Sequence, residues 1–130
     1  NIQVALIGVG SLGKALARYN RTRFLQDRSF NIEIVALFDN DPKKIGQKVE
    51  AVEVTPLSKF EEVVKEMNIR MAIITVPAEH AQEIVDMAVA AGSKAILNFA
   101  PTKVVVPQGV RVASADLSLE LQRLAYYLEE

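Results

Sequence analysis

The chain contains no cysteine, no tryptophan and a single histidine. Lack of thiols excludes disulfides, cysteine nucleophiles and thiolate metal sites from these 130 residues. A lone histidine leaves no ligand spacing that would hold zinc or iron. No excess of either charge is present: 15 Lys and Arg oppose 16 Asp and Glu, a formal net charge of −1. Such a balance offers no basic surface for nucleic acid or an acidic membrane. The longest apolar runs are strand-sized, far below the ~20 residues of a membrane-spanning helix. No signal-peptide pattern opens the chain, and no serine-elbow or phosphate-binding G-K-[ST] motif occurs. The composition therefore fits a cytoplasmic protein.

What is present is an ordinary globular balance, 50% hydrophobic and 24% charged, enough for one domain over residues 1–130. The chain opens on Asn1 rather than methionine, and a strand begins within two residues. It reads as a fragment or processed piece lacking an N-terminal segment that would carry the biological output.

Residues 3–7 form an apolar run bounded by glycine, the signature of a buried strand. After the turn at 8–13 the period changes: Leu12, Ala15, Leu16 and Tyr19 recur at helical spacing, predicting a helix to about Phe24. A second strand at 32–38 ends at Asp39-Asn40-Asp41-Pro42, a strong breaker. The mixed stretch 43–55 suggests a helical turn and a brief edge strand near Glu53-Val54. Leu57, Phe60, Val63, Val64 and Met67 mark a helix, 71–76 a very apolar strand closed by Pro77. Ala81, Ile84, Val85 and Ala88 form the inner stripe of a further helix, with Gly92 placed to end it. Strands at 95–97 and 110–113 flank a loop at 98–101, and a last helix runs from about 117 to 128. Strands alternating with helices, each strand nearly continuous in apolar residues, predict a mostly parallel sheet covered on both faces.

Gly8-Val9-Gly10-Ser11-Leu12-Gly13 fits G-x-G-x-x-G, follows a strand at once and opens a helix. In that context Gly8 permits the tight turn and Gly10 removes a Cβ that would block a pyrophosphate. Gly13 lets helix and strand pack closely, and the phosphates would sit on free amides at the helix N-terminus. The fold class expected is α/β, a Rossmann-like doubly wound sheet holding NAD(H). A plain tight β–α turn is the bland alternative.

Asp39, ending the second strand, can accept hydrogen bonds from the adenosine ribose hydroxyls and would repel a 2′-phosphate, favouring NAD(H) over NADP(H). Lys43 and Lys44 soften that inference. Asp39 lies further from Gly13 than the ~20 residues usual for the motif, a difference the polar insert near 26–31 can absorb. A turn or cap ahead of Pro42 would equally account for it. Thr75-Val76-Pro77-Ala78 and Asn98-Phe99-Ala100-Pro101 follow parallel strands at their carboxyl edge and could wall the nicotinamide. Loop packing is the alternative for both, and only Thr75 and Asn98 there offer side-chain hydrogen bonds. His80 sits at the margin of an apolar helix face and carries no catalytic duty in this reading, so a cofactor site stands without machinery to use the cofactor.

Leu117, Leu121, Leu124 and Leu128 repeat at 4-3-4 spacing, and Leu119, Ala125 and Tyr127 widen the apolar surface. Packing on the chain's own sheet and contact with a second subunit both remain open. Asp116 could cap this helix.

The glycine loop, the stretch Phe38-Asp39-Asn40-Asp41-Pro42-Lys43-Lys44-Ile45-Gly46 and Thr75-Val76-Pro77-Ala78-Glu79 resemble the redox-sensing transcriptional repressors of the Rex family. So do Ile96-Leu97-Asn98-Phe99-Ala100-Pro101 and Asp116-Leu117 with Leu121-Gln122-Arg123-Leu124-Ala125-Tyr126-Tyr127-Leu128. The resemblance covers essentially the whole chain. It implies a homodimeric NADH/NAD⁺ sensor, NADH preferred, rather than an enzyme. NADH would close the dimer and release operator DNA, which is held by an N-terminal winged-helix domain absent from this chain. It further implies a C-terminal helix exchanged between subunits, and Tyr19 pairing with the partner's aspartate, here Asp116. The expected cofactor set is Gly8, Val9, Gly10, Ser11, Leu12 and Gly13, Asp39 and Lys44, Thr75, Val76 and Pro77, and Asn98, Phe99, Ala100 and Pro101. Two alternatives are the cofactor domain of an NAD-dependent dehydrogenase and the CoA-binding domain of an acyl-CoA ligase.

Overall fold

Val4, Ala5, Leu6 and Ile7 are four consecutive buried residues, so the strand that carries them must be covered on both faces. A computed structural model, describing residues 1–115 and 117–129, places that strand at the centre of a seven-stranded sheet. The elements are β1 (Ile2–Ile7), α1 (Ser11–Gln26), β2 (Ile32–Asp39), β3 (Lys48–Val49), β4 (Val52–Pro56), α2 (Phe60–Glu66), β5 (Met71–Ile74), α3 (Ala78–Ala90), β6 (Ala95–Asn98), β7 (Arg111–Ser114) and α4 (Leu117–Glu129). Strand order is β3-β4-β2-β1-β5-β6-β7, with every pairing parallel except the antiparallel β3–β4 hairpin. The order reverses between β1 and β5, and such a switch point opens a crevice at the carboxyl ends of the strands.

One face of the sheet packs against α2 and α3 through Ala5, Ile7, Phe38, Ile74, Phe60, Val64 and Val85. Phe38 and Phe60 meet edge to face, ring centroids 5.0 Å apart. The other face packs Val4, Leu6, Leu37 and Val54 beneath Ala17 of α1. Each fully buried aliphatic side chain contributes about 1.5–3 kcal/mol, so β1 is costly to disturb. One polar link joins these layers: buried Asn20 of α1 accepts from the Ile34 N–H (2.9 Å) and donates to the Ile32 carbonyl (3.1 Å).

The sheet is not equally covered on both faces. Along β5 and β6, Ala72, Ile74, Ile96 and Asn98 are buried, whereas the alternate residues Met71, Ile73, Ala95 and Leu97 are only half-buried. Those four lie on the α1 side, but α1 stands over β1, β2 and β3. Meanwhile Leu117, Leu121, Leu124, Tyr126, Tyr127 and Leu128 of α4 are exposed. The terminal helix does not bury its apolar stripe on its own sheet.

Most expected elements appear within two residues of their predicted bounds, and the helical turn after Asp41 forms, with the Ile45 N–H on the Asp41 carbonyl. Helix α3 ends as expected at Gly92 (φ +107), with the Gly92 N–H on the Val89 carbonyl and the Ser93 N–H on that of Ala88. Two readings need correction. Residues 48–56 hold a hairpin rather than a lone edge strand: Glu50 and Ala51 turn it at φ 50° and 72° without the glycine or asparagine that announces such a turn. The fifth strand stops at Ile74: the Thr75 N–H still reaches the Ile7 carbonyl of β1, and beyond it Pro77 opens α3.

Candidate functional site

The carboxyl ends of β1, β2, β5 and β6 enclose a cleft of about 740 Å³. On one side β1 runs into the glycine loop. The Gly8 N–H bonds the Phe38 carbonyl (2.9 Å), and the Val9 N–H bonds Asp39 Oδ2 (2.8 Å). Gly8 has φ +101°, and a Cβ there would lie 2.8 Å from both the carbonyl oxygen and hydroxyl of Thr75. At Gly13 a Cβ would collide with the Gly8 carbonyl oxygen. The fold itself therefore demands glycine at both ends of the motif.

Gly10 is different. Its backbone (φ −84°, ψ −162°) suits any residue, and a Cβ would meet only Lys44 Nζ, at 4.0 Å. It is the N-cap of α1, makes no side-chain cap, and no acid stands in the first turn. By helix geometry the amides of Ser11, Leu12 and Gly13 have no acceptor within the helix. The Lys14 N–H takes the Gly10 carbonyl (2.9 Å) and starts the ladder. Gly10 and Leu12 line the cleft, and among the described residues no protein anion bonds those amides.

Asp39 binds the loop and lines the cleft together. Oδ2 accepts from Val9, Oδ1 accepts from the Asp41 N–H (2.9 Å), and Lys44 Nζ lies 3.9 Å from Oδ2. The turn role weighed for Asp39 is thus real. Since a carboxylate offers about four acceptor positions, two remain for hydroxyl donors.

The opposite wall carries Thr75, Val76, Pro77, Phe99 and Pro101. The Thr75 hydroxyl donates to the carbonyls of Ile7 and Gly8, so it braces the loop. Asn98, fully buried, accepts from the Ala100 N–H (3.0 Å) and donates to the carbonyls of Ala100 and Thr102. Neither side chain is the free hydrogen-bonding group that loop position suggested. Val9 and Ala100 are buried, and Ser11 is exposed.

Sequence reasoning missed the cleft roles of Asn40, Asp41, Leu57, Glu83 and Ile84, and set His80 aside. A signal existed: 80, 83 and 84 share one face of a helix that begins at the sheet's carboxyl edge. Tyr19 lies outside this cleft, exposed on α1, its hydroxyl 3.5 Å from Arg23 Nη1. Asp116, its expected partner, lies outside the described residues.

The sequence matches the family described as CoA binding domain over residues 1–102. The chain belongs to that family. Among relatives of this CoA-binding domain, the redox-sensing transcriptional repressor Rex of Brevibacillus brevis is 48% identical over 127 residues, 98% of this chain and 59% of the relative. RSP, a Rex-family repressor, was solved with beta-NADH; it matches with a TM-score of 0.87 and 31% identity over 98% of this chain and 60% of that one. The same protein bound to beta-NAD⁺ and operator DNA gives 0.89 and 32% over 98% and 57%. The resemblance to Rex holds along the chain, which spans under three fifths of the length of its first curated relative, 59%. These relatives carry the name of a repressor, not of an enzyme.

Proposed function

We propose that this chain is the NAD(H)-sensing domain of a Rex-type repressor, without catalysis of its own. The observation that carries the reading is Gly10: a glycine that no internal contact demands, at an uncapped helix N-terminus facing Lys44. A pyrophosphate across Gly10 supplies the missing anion to the first-turn amides of α1. The ribose hydroxyls then donate to the two open acceptor positions of Asp39. The nicotinamide lies toward Val76, Pro77, Phe99 and Pro101, an apolar wall suited to the uncharged ring of NADH.

Coenzyme A is the second reading, favoured by the family's description. It too presents an adenine nucleotide pyrophosphate, but with a phosphate on the ribose 3′ oxygen. Asp39 faces that position with a carboxylate, so the repulsion that disfavours NADPH disfavours CoA also.

Sensing requires a second arrangement to bias. In our reading the exposed stripe of α4 from a second copy covers the half-buried face of β5 and β6, producing a homodimer. Tyr19 then meets Asp116 of the partner subunit when NADH is bound. NADH shifts the dimer only by its differential affinity for two arrangements. Operator binding belongs to sequence outside this chain, and the setting is cytoplasmic; among the described residues no helix is long and apolar enough to cross a membrane.

Calorimetric titration with NADH, NAD⁺, NADPH and CoA tests the proposal. NADH binding well ahead of the other three is expected. Preferential CoA binding, or equal affinity for NADH and NAD⁺, overturns it.

A further inference from the structure

Pyrophosphate, ribose and nicotinamide leave one end of the cleft unassigned. Leu57 follows β4, which lies on the far side of β2 from β1, so the cleft continues outward past Asp39. Buried Ile84 of α3 and Leu57 pack in one hydrophobic cluster and both line the cleft, as do the exposed His80 and Glu83. Two aliphatic side chains beneath a polar edge suit a flat heteroaromatic ring. On the reading above, this end receives the base.

The rim carries a hydrogen-bond preference. His80, Glu83 and Ile84 share a face of α3 by their i, i+3, i+4 spacing. The Glu83 carboxylate lies 4.0 Å from His80 Nδ1. Among the described residues no other ion pair or hydrogen bond engages it. An ionised carboxylate accepts and never donates. Adenine presents an exocyclic amine, a donor, where hypoxanthine and guanine present a carbonyl oxygen.

We propose that Glu83 reads the base of the bound dinucleotide, accepting a hydrogen bond from the adenine amine and rejecting purines with an oxygen there. The assignment rests on the dinucleotide reading of the cleft. His80 stands beside the carboxylate and limits the directions it can take. Because Glu83 is solvent-exposed, the discrimination is moderate rather than absolute.

The test compares NADH with its hypoxanthine analogue by calorimetry, on the chain as it stands and on Glu83→Gln. Thermal unfolding checks that the exposed substitution leaves the fold intact. The unsubstituted chain is expected to bind NADH about tenfold more tightly than the analogue, the worth of one charge-assisted hydrogen bond in a wet site. Glu83→Gln, whose amide can turn its N–H toward an oxygen, brings the two within about twofold. An unchanged adenine preference in Glu83→Gln, or no preference in the unsubstituted chain, overturns the assignment of Glu83 while NADH still binds. Failure of both dinucleotides to bind overturns the dinucleotide reading and this assignment with it.

Discussion

At the scale of residues, Asp39 holds its turn and lines the cleft at once, so the turn role does not exclude the ribose role proposed for it. Its carboxylate fixes the glycine loop through Val9 and its own turn through Asp41, and it faces the cleft. Asp39→Asn keeps an acceptor but removes the charge, so NADPH should gain on NADH by about tenfold, equivalent to about 1.4 kcal/mol. Competition titration of the two dinucleotides reads that ratio, and an unchanged ratio contradicts the ribose role. The glycines were legible because their spacing follows from backbone geometry. Asn98 was not, since an amide that bonds its own loop has the same letter as one that bonds a ligand. His80, Glu83 and Ile84 escaped because only the rotation of α3 about its axis decides which residues reach the cleft.

Among elements, the β–α alternation was readable from periodicity and breakers, and the hairpin of β3 and β4 was not. Its turn places Glu50 and Ala51 in the left-handed region, where a Cβ costs roughly 1–2 kcal/mol per residue. Replacing Ala51 by glycine relieves that strain at a cost in unfolded-state entropy. The net expectation is a gain of about 0.5–1 kcal/mol in urea unfolding, and a loss of stability would show the turn to be otherwise held. The exposed face of α4 belongs to the same scale. Its leucine repeat was evident from sequence, yet two sites of packing fitted equally. Exposure of Leu121 and Leu124 excludes the chain's own sheet as the cover.

For the whole molecule, the half-buried strip on β5 and β6 and the apolar stripe of α4 are two surfaces in want of cover. On the dimer proposed above, they would bury each other between copies and link two clefts. A Leu121→Glu, Leu124→Glu double variant should sediment as a monomer, whereas the unsubstituted chain is expected to sediment as a dimer. A dimer that survives both substitutions contradicts the role given to α4. The sequence could not decide this because a helix's apolar face does not name its partner.

In the proposed site Gly10 stays open for a ligand and not for the fold, and the Gly10→Val variant separates the two. Valine suits φ −84° and ψ −162°, and its Cβ approaches only the flexible end of Lys44. The variant should stay folded, losing only about 1 kcal/mol of stability from the poorer N-cap, and lose NADH affinity by a hundredfold or more, roughly 3 kcal/mol. Undiminished NADH binding in a folded Gly10→Val chain would contradict the account.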